Sequence, residues 1–162
     1  MPVPDAVHVR RATRADLPVL GRLGAHLIRV HVEFDRRRFV TPTGNPEAGY
    51  AHFLGTQLDA DDAIVLVAER DGTAIGYAYA AIEPFSWKEL RNAAGFVHDI
   101  VVAQTERRTG VAGALMEAAI AWVREQGAAS VMLWTAAQNE AAQRLFEGLG
   151  FRRTMIEMTR DL

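Results

Sequence analysis

The chain has 162 residues, 49% hydrophobic and 23% charged, with a formal net charge of -2, so it is long enough for one well-cored domain and lacks the basic footprint of a general nucleic-acid binder. It contains no cysteine, which excludes a disulfide framework, a thiolate zinc site and acyl transfer through a protein thioester. A single domain over residues 1–162 with a small-molecule partner is therefore expected.

At the N-terminus, MPVPDAVHVRRATRADLPVL holds no apolar run of signal-peptide length. No later segment approaches the roughly 18 apolar residues of a membrane span, so a cytoplasmic protein without a membrane partner is expected. VHVRRAT alternates like a short strand, and the following stretch carries Leu17, Leu20, Leu23, Leu27 and Val30 at helical spacing, with Thr13 or Asp16 as its cap. DRRRFVTPTGNPEAGY, with Pro42, Gly44, Pro46 and Gly49, reads as a loop whose arginines are solvated, before EAGYAHFLGTQL resumes a helix. AIVLVAERDGTAIGYAYAAI predicts a hairpin turning at Asp71-Gly72.

After a connecting loop, AGFVHDIVVA is too apolar to leave one face in water and predicts a buried strand. Val111, Leu115, Ala118 and Trp122 share one face of the next helix, which Gly127 stops. SVMLWTAA predicts another buried strand with Trp134 on the core-facing period, NEAAQRLFEGLG a short helix, and FRRTMIEMTRD a closing strand with alternating faces. An α/β (α+β) domain follows, a mixed sheet with helices on both faces.

Gly110 and Gly113 lie where a strand hands over to a helix, a place where main-chain N–H groups lack internal acceptors. Glycine admits close approach of a ligand there, and the helix dipole favours an anion such as a phosphate, with Arg107 and Arg108 at the rim. The bland alternative is a turn whose glycines serve close packing. A Walker loop is excluded because no lysine stands near, and a dinucleotide fingerprint because only G-x-x-G is present.

RRTGVAG at 107–113 resembles the R/Q-x-x-G-x-G/A signature of the GCN5-related N-acetyltransferase (GNAT) superfamily, and NEAAQRLFEGLGF at 139–151 resembles its N-x-x-A-x-x-L-Y-x-x-x-G-F segment. The likeness covers roughly residues 62–158. It implies the acyl-CoA N-acyltransferase fold, a mostly antiparallel mixed sheet, and acetyl-CoA as cosubstrate with no metal. Carried over by position, Arg107, Arg108, Thr109, Gly110, Val111, Ala112 and Gly113 cradle the pyrophosphate. Ile100, Val101 and Val102 form the strand that pairs with pantetheine and polarises the thioester carbonyl, and Asn139 lies near the pantetheine. Phe146 stands where the family places a tyrosine acid, so direct proton donation is lost at that position. Dimerisation is common in that family, which leaves a homodimer open.

Such a site implies direct attack of a neutral amine on the thioester. An amine with a lysine-like pKa near 10.4 is mostly charged at neutral pH, so a base must offset about 4 kcal/mol of proton affinity. His98 is the first candidate, because it matches a strand position where some members carry a glutamate and because imidazole titrates in the useful range. Asp99 is second. Glu33 and Glu83 are expected to reach the acceptor from flanking segments, and Trp87 lies in the loop that borders the acceptor cleft in the family. The expected function is transfer of acetyl to a primary amine, on a small molecule or a peptide N-terminus. Two rivals stand beside it: an inactive acyl-CoA-binding module of the same fold, signalled by Phe146, and an unrelated phosphate-binding protein using the same turn.

Overall fold

Four strands paired antiparallel in chain order and closed by one parallel strand form the sheet of the computed structural model, which describes residues 6–162. The strands are β1 (His8–Arg11), β2 (Ala63–Arg70), β3 (Thr73–Glu83), β4 (Ala94–Val102) and β5 (Val131–Leu133). The helices are α1 (Leu17–Phe34), α2 (Pro46–Gln57), α3 (Val111–Glu125) and α4 (Glu140–Gly148). The β2–β3 hairpin turns at Asp71 and Gly72, both at positive φ, the geometry that matches strand twist.

Period-two alternation sends side chains from each strand to two cores. Ile64, Leu66, Ala68, Ala78 and Ala80 face one core, closed by Leu115, Met116, Ala119 and Trp122 of α3 and Phe146 of α4. Val65, Val67, Tyr77, Tyr79 and Val101 face the other, closed by Leu20 and Leu23 of α1 and Leu54 of α2. Helices therefore cover both faces. Gly95 lets α3 approach β4 closely, since a Cβ there would lie 2.2 Å from Val123.

The start of α1 is pinned by Asp16, which accepts from the Thr13 main-chain N–H at 2.7 Å and from both terminal nitrogens of Arg10 at 2.9 Å. The Arg10 guanidinium holds the Asp16 carboxyl down at about 2, against the opposing effect of burial.

Two sequence expectations differ from the structure. Trp134 is 73% exposed, because β5 ends at Leu133 and the indole projects beyond the sheet, edge-on to Phe96. Residues 151–162 form no strand, and among the described residues the segment makes no main-chain hydrogen bond beyond Phe151 N–H to Phe146 O at 3.0 Å. Side-chain ion pairs hold it instead: Arg37–Asp161 at 2.7 Å, Arg153–Glu147 at 2.8 Å, and Arg38–Glu157. Alternation alone makes no strand without an edge to supply hydrogen bonds.

Candidate active site

β4 pairs with β3 as far as Val102, yet with β5 only at Gly95, Phe96 and Val97, opposite Val131, Met132 and Leu133. From His98 onward the β5 side of β4 has no strand partner. The main chain of Ile100–Val102 is thus an open edge, the kind of surface an extended ligand can join as an added strand. The pairing of β3 with β4 also shifts register between Tyr79 and Ala80, where Asp99 faces Tyr79 and Val97 faces Ala80, so His98 is the extra residue of a bulge.

Beyond the open edge lies the glycine turn. Arg108 and Gly110 take left-handed φ values of 64° and 84°, and Gly110 starts α3 without a side-chain cap. The first-turn N–H groups of Val111, Ala112 and Gly113 consequently have no internal acceptor. The turn is braced beneath by Thr109 Oγ1 donating to the Glu106 carbonyl at 2.6 Å and by the Arg70–Glu106 ion pair. A Cβ added to Gly110 or to Gly113 would meet nothing within 4 Å. Close packing therefore explains neither glycine, in contrast to Gly76, where a Cβ would lie 2.7 Å from the Val101 carbonyl. The turn presents bare main chain, the positive end of a helix dipole and two exposed arginines to open space, a combination suited to a phosphate.

At the bulge, His98 Nε2 lies 2.9 Å from Glu83 Oε1, and its ring is stacked between Tyr79 and Phe96 at 5.1 and 5.4 Å. The adjacent Asp99 carboxylate accepts at one oxygen, Oδ2, from the Tyr50 hydroxyl at 2.5 Å and the Tyr77 hydroxyl at 3.0 Å. Burial pushes the Asp99 carboxyl above its usual range while the two phenols pull it back. Burial and the Asp99 charge push both phenols up, which keeps them protonated as donors. Tyr79 donates to Gln57 Oε1 at 2.9 Å, and burial followed by Glu83 and Asp99 raises its hydroxyl too. Tyr50, Phe53 and Gln57 share one face of α2, which buttresses the bulge. Gly24 permits this: a Cβ there would sit 2.1 Å from Tyr50 Cδ1, so the ring lies flush on α1.

The expected residues divide in space. His98, Asp99 and Glu83 come together, and the open edge at Ile100–Val102 leads to the turn at 107–113. Val101 is buried and Ile100 and Val102 pack against the α3-side core, so what these three offer is main chain. Asn139 caps α4, its Oδ1 accepting from Ala142 N–H at 3.2 Å. Phe146 is 6% exposed and packs edge-on to Phe151, so its ring belongs to the α3-side core. Glu33 favours the charged form of His26 on its own helix. Trp87 is 81% exposed and packs edge-on to Phe85. Sequence reading did not assign Tyr50 and Tyr77 to Asp99. The alternation of β3 puts Tyr77 on the right face, but nothing in one dimension links position 50 to position 99. Among the described residues no group of three or more His, Cys, Asp or Glu side chains is placed to hold a metal ion, and no helix is long and apolar enough to cross a membrane.

The chain is similar to known acetyltransferases. The mycothiol acetyltransferase of Thermobispora bispora is 35% identical over 98 residues, which are 60% of this chain and 33% of that protein. An aminoglycoside N(6')-acetyltransferase type 1 of Klebsiella aerogenes is 29% identical over 101 residues, 62% of this chain and 66% of its own length. This chain thus spans a third of the first relative. An aminoglycoside N-acetyltransferase solved in complex with CoA superposes with a TM-score of 0.75 at 22% identity, covering 100% of this chain and 98% of that one. The fold is the same. The model of the acetyltransferase (GNAT) family matches residues 29–151, taking in the open edge, the glycine turn and the bulge alike. By that match, the chain belongs to the acetyltransferase (GNAT) family.

Proposed function

We propose that the chain is a single-domain N-acetyltransferase that moves an acetyl group from acetyl-CoA directly to a primary amine. One observation carries the reading: Gly110 and Gly113 face open space at the head of α3, downstream of a strand whose outer edge is unpaired from His98 onward. The turn's amides and Arg107–Arg108 suit the pyrophosphate, and the Ile100–Val102 edge suits the amide-bearing pantetheine arm. The coenzyme supplies an activated acyl thioester. His98, oriented by Glu83 at 2.9 Å, takes a proton from the acceptor ammonium, directly or through water. The amine lone pair forms the C–N bond, the C–S bond breaks and the electron pair leaves on sulfur while the Val102 N–H steadies the carbonyl oxygen, and the remaining surplus proton on nitrogen passes through water to the thiolate. The buried Phe146 donates nothing, and a thiol with pKa near 8.5 leaves tolerably as thiolate.

The acceptor in this reading is a small amine rather than a peptide N-terminus. Support comes from the compact acid and aromatic cluster of Glu83, Asp99, Tyr79 and Phe96, and from relatives named for mycothiol and aminoglycosides. We place the protein in the cytoplasm, and further propose that it pairs with a second copy: Met155, Ile156 and Met158, 81, 86 and 90% exposed, are what that copy would cover. The test is calorimetric titration with acetyl-CoA, ATP and NAD, followed by thiol release across a panel of amines with mass detection of products. Preference for ATP or NAD would defeat the reading. Coenzyme binding without turnover on any amine would instead make the protein a binding module.

A further inference from the structure

On α1, Arg22, His26 and Arg29 stand at helical spacing on one face, and that face meets the glycine turn. Arg107 Nη2 lies 3.5 Å from His26 Nε2. A guanidinium only donates, so the ring nitrogen facing it accepts and the imidazole is neutral. Neither Arg22, Arg29, Arg107 nor Arg108 has a carboxylate within ion-pair distance among the described residues. The groups acting on His26 are Arg29 and Glu33 of its own helix and Arg107 of the turn. Burial first, then the two arginines, hold its pKa down, while Glu33 opposes them. Two cation-forming groups from different elements thus face each other with no counter-ion, beside a helix start that already favours an anion.

We infer that His26, Arg29 and Arg107 form a second phosphate-recognition site, across the turn from the α3 amides, which takes a phosphate of the coenzyme and protonates His26 as it binds. This rests on the proposed function. An anion between His26 and Arg107 replaces one weak contact with charge-assisted hydrogen bonds from both sides. It also reverses the field on the imidazole, which is held neutral in the free protein and favoured as imidazolium in the complex. Binding therefore takes up a proton, and affinity rises as pH falls from the bound-state pKa of His26 toward its depressed free-state value.

The experiment is titration calorimetry at pH 7 in two buffers of different ionisation enthalpy, with acetyl-CoA, acetyl-dephospho-CoA and acetyl-pantetheine. Expected are net proton uptake for the wild type with acetyl-CoA, loss of that uptake in His26→Asn, and a roughly tenfold weaker acetyl-CoA affinity in His26→Asn and Arg29→Ala. Acetyl-pantetheine, which carries no phosphate, should bind all three proteins alike. An effect lost with acetyl-dephospho-CoA assigns the site to the 3'-phosphate and one retained assigns it to the diphosphate, both supporting the inference. Unchanged affinity and proton uptake in the variants, or equal weakening toward acetyl-pantetheine, would overturn it. A wild type that binds no acetyl-CoA would overturn the proposed function and this inference with it.

Discussion

Gly110→Ala adds one methyl group at the left-handed start of α3. The residue has φ 84°, and the new Cβ would meet no atom of the chain within 4 Å. The fold therefore pays only the backbone term, about 1 kcal/mol for an L side chain at positive φ, with no steric addition. For a chain of this size that lowers Tm by roughly 2–4 °C. Coenzyme binding should suffer far more, because the methyl stands over main chain that a phosphate must approach. Losing one charge-assisted hydrogen bond removes about 1.5–3 kcal/mol, at least a tenfold weaker Kd. Gly49→Ala is the control: this glycine lies in α2 away from the turn, its Cβ also meets open space, and the change should stabilise the protein by about 0.5–1 kcal/mol without touching coenzyme binding. Thermal melts and acetyl-CoA titration of both variants make the comparison. A folded Gly110→Ala protein that binds acetyl-CoA as the wild type does would refute the cradle.

Asp99→Asn should raise Tm at pH 8. Burial lifts this carboxyl's folded-state pKa, so the folded state binds the proton more tightly than the unfolded chain, and stability falls as pH rises through that window. The gain should vanish below pH ~4, the unfolded carboxylate value, and melts showing Asn less stable at pH 8 would contradict this. Asp16 behaves in the opposite way: its folded pKa is depressed to about 2, so its stabilisation is present above the unfolded value near 3.8 and is lost as pH falls toward 2. Asp16→Asn should then cost roughly 2 kcal/mol in urea denaturation at pH 7 and almost nothing near pH 2, consistent with a shift of nearly two pKa units. Gly24→Ala would force a Cβ to 2.1 Å from Tyr50 Cδ1 and break the Tyr50–Asp99 bond, an overpacking cost of about 1–3 kcal/mol that outweighs the helix propensity gained. A higher Tm in that variant would show that the ring moves freely. His98→Ala should cut turnover about a hundredfold or more in a thiol-release assay, with little change in acetyl-CoA affinity, and unchanged kcat would remove His98 as the base.

Local chemistry made much of the molecule legible in one dimension. The hairpin at Asp71-Gly72, the stop at Gly127 and the buried face of α3 at Val111, Leu115 and Trp122 follow from φ preferences and apolar period, properties that each segment carries alone. The glycine turn was legible as a motif, and the resemblance implied a pyrophosphate cradle there, but the residues alone left close packing open. Only packing distinguishes Gly95, wedged against Val123, from Gly110, which faces open space.

Where a partner lies far along the chain, sequence pattern is silent. Tyr50 reaches Asp99 across 49 positions because α2 packs flush on Gly24, and His26 reaches Arg107 across 81 because α1 runs beside the turn. The tail at 151–162 has the alternation of a strand and forms none, since a strand exists only where an edge offers hydrogen bonds. By itself, then, the sequence determined the order and type of most elements and the place of the glycine turn, all matters of short-range sterics and hydrophobic period. Tertiary structure alone decided which side chains meet at the bulge, which glycines stay uncovered and which basic groups stand without a counter-ion, because those depend on the distance between elements that only the folded core sets.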